Sequence, residues 1–188
     1  MKLSGHEDLR IRRTLESIRR AFEELMLEKD YEKITVTELA QRAMINKKTF
    51  YTYYPSLDDL LAEIQDELSE EFSLRTKDYT FRDIDKLTQE FFLFSEEKGP
   101  FYEKITCTDS IIRNRMIRNV TKTSDRKYSQ LKQYTEYEQN LIRTFANSAT
   151  LSIYKQWIED GKRVPVEKVI ELTTMMINDG LKEIIRKK

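Results

Sequence analysis

Apolar residues recur through most of this chain at intervals of three and four, the spacing that lines one face of a helix. Ile11, Leu15, Ile18, Phe22, Leu25 and Met26 form the first such stripe and predict a helix from about Asp8 to Glu28. Two short segments follow. Thr35-Val36-Thr37-Glu38 has the form of a capping box. The Thr35 hydroxyl and the Glu38 carboxylate would each satisfy a backbone N–H left over at a helix start. Ile34 and Leu39 flank it at staple positions, so a helix is expected from about Val36 to Ala43. Asn46 suits the N-cap of the next helix, with Ile45 and Phe50 as its staple pair. Tyr54-Pro55 closes that helix, because the residue before a proline is pushed out of the helical region. Ser56 caps a fourth helix. Its stripe of Leu57, Leu60, Leu61, Ile64, Leu68 and Phe72 runs to about Arg75. Two short helices held between two long ones make a helix-turn-helix unit.

The rest reads as a helical body. Phe81 to Ser95 carries a dense aromatic face, and Gly99-Pro100 is expected to end that helix. Phe101 to Thr106 reads as a short helix, and Ile111 to about Gln133 as helical in parts. Glu138 to about Asp160 and Val166 to Arg186 read as two long final helices. No segment sustains the alternation of a strand. The fold class is therefore all-α, with a three-helix helix-turn-helix domain over residues 1–56 and a helical domain over 57–188.

Composition narrows the function. Charged residues make up 35% and hydrophobic ones 39%, with 4 glycines and 3 prolines among 188 residues. That is a globular, helix-favouring balance. The formal net charge is zero, so nucleic acid could be held only by a local patch. Cys107 is the sole cysteine. It excludes an internal disulfide framework, fits a reducing compartment and reads as a small buried hydrophobe. With neither a signal-like N-terminus nor a membrane-length apolar run, the expected location is the cytoplasm, with no membrane contact. His6 is the sole histidine, and Gly5, Gly99, Gly161 and Gly180 are far apart. Histidine-based metal sites, a Ser-His-Asp triad and phosphate-binding glycine loops all lack their residues. The chain is not expected to be an enzyme or to need a metal or cofactor.

The candidate chemistry lies between Leu39 and Leu57. This window holds Arg42, Lys47 and Lys48 and no carboxylate. Lys47 and Lys48 fall in the first turn of a helix, where the dipole disfavours cations. Local conflicts of this kind are expected where function overrides stability. In helix-turn-helix readers the second helix enters the major groove and its N-terminal residues reach base edges. Lysines suit guanine acceptors and phosphates, and threonine and tyrosine hydroxyls suit phosphates.

From about Arg12 to Leu61 the chain resembles the DNA-binding domain of the TetR family of transcriptional regulators. The resemblance is carried by T-V-T-E-L-A-Q-R-A-M-I-N-K-K-T-F-Y-T-Y-Y-P-S-L-D-D-L-L. It implies DNA contacts by Thr35, Thr37, Asn46, Lys47, Lys48, Thr49, Tyr51 and Tyr53, with Tyr51 on a phosphate. Two residues depart from the family's habit. Met44 stands where glycine is common in the turn, at a cost of roughly 1 kcal/mol if the backbone there is left-handed. Leu57 stands where a lysine often bonds a phosphate.

The resemblance also gives the C-terminal domain a ligand-binding and dimerisation role. Phe91, Phe94, Phe101, Tyr102, Met116 and Trp157 read equally as core or as the wall of an apolar effector pocket. Ala146, Ser148, Ala149, Ser152 and Gly180 would let the last two helices approach closely. By resemblance these helices pair with a second copy as a homodimer. The cations between Arg113 and Lys132 read as a solvated surface. The expectation is a dimeric DNA-binding regulator, a repressor on a roughly palindromic double-stranded operator. An apolar or aromatic small molecule would release it. Control by a partner protein, and an interaction module without DNA binding, are the alternatives.

Overall fold

The computed structural model describes residues 5–107 and 131–186. Among them every long element is a helix: α1 (Gly5–Glu28), α2 (Val36–Arg42), α3 (Lys47–Tyr53), α4 (Leu57–Arg75), α5 (Ile84–Cys107), α6 (Glu136–Glu159) and α7 (Val166–Arg186). Single 3-10 turns at Tyr31–Lys33 and Phe81–Asp83 complete the described elements. The chain divides into two compact units, Met1–Ile64 and Gln65–Lys188. The division falls within α4. No helix of the described residues is long and apolar enough to cross a membrane.

The first unit is built on the stripe of α1. Ile18, Phe22, Leu25 and Met26 are buried there, as are Leu39 of α2, Phe50 of α3, and Leu60 and Leu61 of α4. Each such side chain contributes about 1.5–3 kcal/mol by leaving water, which is ample to hold two helices too short to be stable alone. Thr35 caps α2, accepting from the Glu38 N–H at 3.2 Å. The expected capping box is only half made. The Glu38 carboxylate takes a hydrogen bond from Lys29 at 2.6 Å, because a cation is a stronger partner than a neutral backbone N–H.

The second unit holds two apolar clusters. Phe81, Ile84, Leu131, Ile142, Ala146, Ile177 and Leu181 form one, and Phe92, Tyr154, Trp157 and Val169 the other. Complete capping boxes occur here, at Thr80 with Asp83 and at Thr135 with Glu138. The second starts α6 at Glu136, a little before the expected Glu138. Gly99-Pro100 kinks α5 instead of ending it. Gly99 has φ 73° and ψ −162°, a backbone setting open to glycine, and Pro100 can start the next turn because it has no N–H to leave unbonded. Most of the stretch expected to be partly helical, Ile111 to Gln133, lies outside the described residues, as does the bulk of its cationic run.

Candidate nucleic-acid interface

The turn between α2 and α3 sets the geometry of the reading face. Met44 has φ 55°, in the left-handed region where a glycine is usual. Its N–H donates to Gln41 O at 3.1 Å and the Ile45 N–H donates to Ala40 O at 2.9 Å. This pair of bonds is the Schellman closure of a helix C-terminus. The Ser17 hydroxyl of α1 adds a bond to Ala43 O at 2.8 Å. Asn46 then caps α3, its side chain accepting from the Lys48 N–H at 2.9 Å.

Fully buried Phe50 fixes which side of α3 faces outward. Lys47, Lys48 and Tyr51 are exposed, and Thr49 and Tyr53 are half-buried on the flank. Thr35, Thr37 and Asn46 are exposed as well. Thr52 was not among the expected contact residues, yet it shares the exposed arc, with its hydroxyl bonded back to Lys48 O at 2.9 Å. Its spacing, four residues after Lys48 and next to Tyr51, was the available signal. Tyr51 packs edge-on against Phe50, the ring centroids 5.6 Å apart.

The electrostatics separate the cations of this unit into two groups. Arg42 is occupied, forming a two-pronged bond to Glu28 at 2.6 and 2.8 Å. That contact raises the Arg42 pKa and lowers that of Glu28. Lys29 is held by Glu38, and Arg19 by Glu63 at 2.6 Å. Tyr54 also donates to Glu63, at 2.8 Å. Burial first, and then this bond, push the Tyr54 phenol up to about 12. Tyr31 donates to Asp58 at the start of α4. Lys47 and Lys48 have no side-chain hydrogen-bond or ion-pair partner among the described residues. The surface of α3 is thus left with two uncompensated positive charges, two hydroxyl-bearing aromatics and two threonines.

The aromatic residues of the second unit fall together. Phe91 lies 5.2 Å from Tyr154, centroid to centroid, and Phe92 lies 5.9 Å from Trp157. Phe94 meets Tyr102 at 5.4 Å, and Phe72 of α4 meets both Phe91 and Phe94. Phe94, Tyr102 and Trp157 are buried and Phe91 and Phe101 half-buried, whereas Met116 lies outside the described residues. Phe72, Phe92 and Tyr154 join this assembly without having been expected at the candidate pocket. Cys107 is half-buried and packs against the same cluster.

Residues 18–64 match the profile of "Bacterial regulatory proteins, tetR family". Residues 82–179 match a "Transcriptional regulator C-terminal region". An uncharacterized HTH-type transcriptional regulator of Bacillus subtilis is 35% identical over 82 residues, which are 36% of this chain and 22% of that protein. The chain thus spans about a fifth of the length of the curated relative it matches. A TetR transcriptional regulator from Streptococcus agalactiae superposes with a TM-score of 0.68 at 22% identity, over 91% of this chain and 97% of the other. The regulator FadR from Bacillus subtilis, solved with stearoyl-CoA, gives 0.63 at 16% identity, over 90% and 97%. At these identities the structural likeness establishes the all-α fold.

Proposed function

The chain belongs to the TetR family of bacterial transcriptional regulators, and from that premise we propose that it is a dimeric repressor released from its operator by a small molecule. The observation that carries the DNA-reading half is the pair Lys47 and Lys48, uncompensated in the first turn of an exposed helix whose cap and anchor are both in place. Their ammonium groups reach guanine acceptors or phosphates. Tyr51 and Tyr53 add phosphate contacts, and Thr35, Thr37, Asn46 and Thr49 flank them.

Dimerisation is supported by apolar side chains that α6 and α7 leave exposed, among them Leu141, Phe145, Leu172 and Met176. Gly180 of α7 lies so close to Phe145 that a Cβ there would stand 3.0 Å from the ring. A second copy laid on this face would cover it. A two-fold pair then sets two α3 helices about 34–36 Å apart, one turn of duplex, and calls for a roughly palindromic operator. Bound at a promoter, the dimer occludes it.

The effector would bind in the second unit and act by preferring a state in which the two reading heads lose that spacing. Only a difference in affinity between the two states can drive the change. The FadR structure with stearoyl-CoA is a precedent for a small-molecule complex on this fold.

The test is a gel shift against genomic fragments at fixed salt, followed by the double variant Lys47→Ala, Lys48→Ala. The variant is expected to lose on the order of 2–4 kcal/mol of specific binding. Unchanged affinity would sink the assignment of α3.

A further inference from the structure

Hydroxyl and amide groups without partners accumulate in the interior of the second unit. Gln65 and Ser69 of α4, Thr88 and Thr106 of α5 and Tyr154 of α6 are each more than nine-tenths buried. Their side-chain polar atoms, including both ends of the Gln65 amide, have no hydrogen-bond partner among the described residues. Buried polar groups are nearly always bonded, and each unbonded one costs about 1–3 kcal/mol.

Helix geometry groups them. Gln65, Ser69 and Phe72 follow one another at four- and three-residue steps on one face of α4. Thr88, Phe91, Ser95 and Tyr102 do the same on α5. The two faces meet where Phe72 packs on Phe91 and Phe94. Tyr154 joins from α6 against Phe91 and Phe92. The phenol of Tyr154 lies beside Ser95, and that of Tyr102 beside Ser95 and Thr106.

The charges near this group are already matched: Glu90 by Arg75, and Glu103 by Lys162. An ionised ligand would find no free counter-charge here, and burying it unpaired would be far more costly than burying a hydroxyl. The rings supply stacking surface, and the orphaned groups supply both donors and acceptors.

We propose that the second unit binds an uncharged, hydroxylated aromatic molecule, with Gln65, Ser69, Thr88, Thr106 and Tyr154 as its hydrogen-bond partners. This rests on the effector half of the function proposed above and names its ligand class. Gln65 and Ser69 lie on α4, the helix whose first turns belong to the DNA-reading unit. The ligand would therefore bond directly to the element shared by both units.

The test uses the full-length protein without DNA and three matched probes: biphenyldiol, biphenyl and biphenyl carboxylate. Calorimetry measures affinity, and fluorescence of Trp157, the single tryptophan, reports on the aromatic cluster. The diol is expected to bind more tightly than either of the others. Tyr154→Phe removes one hydroxyl and keeps the ring. It is expected to weaken the diol by roughly two- to tenfold, the worth of one neutral hydrogen bond, and to leave biphenyl unchanged. Thr106→Val serves as a second, volume-conserving check with the same expected pattern. Tighter binding of the carboxylate, or no binding of any probe, overturns the proposal. So does a fall in melting temperature for Tyr154→Phe with unchanged diol affinity, because ordered water would then be completing these groups. A separate gel shift without any probe keeps loss of DNA binding distinct from loss of ligand binding.

Discussion

Replacing Met44 with glycine will stabilise the DNA-reading unit. The residue has φ 55° and is 94% exposed, so it carries backbone strain with almost no packing in return. A left-handed setting costs a non-glycine residue roughly 1–2 kcal/mol, through the clash of Cβ with the following carbonyl. Glycine removes that cost but widens the unfolded ensemble, returning about 0.5–1 kcal/mol. The net gain is therefore about 0.5–1 kcal/mol. The two Schellman bonds involve only backbone, Met44 to Gln41 and Ile45 to Ala40, and survive the change. Urea unfolding followed by far-UV circular dichroism measures it, with Trp157 fluorescence tracking the second unit in parallel. Met44→Ala is the control: alanine keeps the Cβ and hence the strain, so its midpoint stays near that of the parent. A glycine variant no more stable than the alanine variant would refute the reasoning, because the side chain of Met44 would then be contributing something that its exposure does not account for.

Three further outcomes follow from the same geometry. Lys47→Ala will lower the salt slope of DNA binding by about 0.9 if the lysine displaces one counterion, whereas Arg42→Ala, whose guanidinium is already held by Glu28, will leave the slope unchanged; titrations at several salt concentrations read both. Asp83 has its pKa lowered, chiefly by the Thr80 backbone N–H and then by its hydroxyl. A depressed folded pKa gives stability that is present above the unfolded value of about 3.9 and is lost as pH falls through the folded value. Asp83→Asn will accordingly flatten the acid limb of the urea midpoint plotted against pH. Leu172→Glu with Met176→Glu places charge on the exposed face of α7 and will shift the protein to monomers in light scattering; a particle mass equal to the parent's would move the dimer interface elsewhere.

Much of the fold was legible because its signals are local. The stripe from Leu57 to Phe72 and the Pro55 boundary gave α4 its ends at Leu57 and Arg75. Asn46 caps α3 as its residue type implies. What could not be read depended on residues distant in sequence. Glu38 looked free to complete a capping box, but Lys29 reaches it. Arg42 read as one of three cations in a carboxylate-free window, yet Glu28 lies fourteen residues back, close in space. Gly99-Pro100 has the composition of a helix end. Whether such a pair ends or bends a helix depends on what packs beyond it, and Tyr102 and Ile105 are both buried there. The orphaned hydroxyls were invisible for the same reason: a serine or threonine on a helix carries no sequence mark of being left without a partner.

The exceptions to good local chemistry in the first unit cluster within five residues. Met44 is strained at a turn, and Lys47 and Lys48 sit unpaired against a helix dipole that disfavours them. The remainder of this segment compensates. Ser17 ties the end of α2, Asn46 caps α3, and Phe50 anchors it. Elsewhere in the unit Lys29, Arg19 and Arg42 each have a carboxylate. A fold selected only for stability has no reason to neutralise those three cations and leave two at the least favourable end of its most exposed helix. A helix that must meet an anionic surface does, because there the phosphates supply the missing counter-charge. The same logic separates Met44 from the lysines. Strain in the backbone is not relieved by an approaching polyanion, so glycine at Met44 will raise stability while leaving the charge pattern of the reading face as it is.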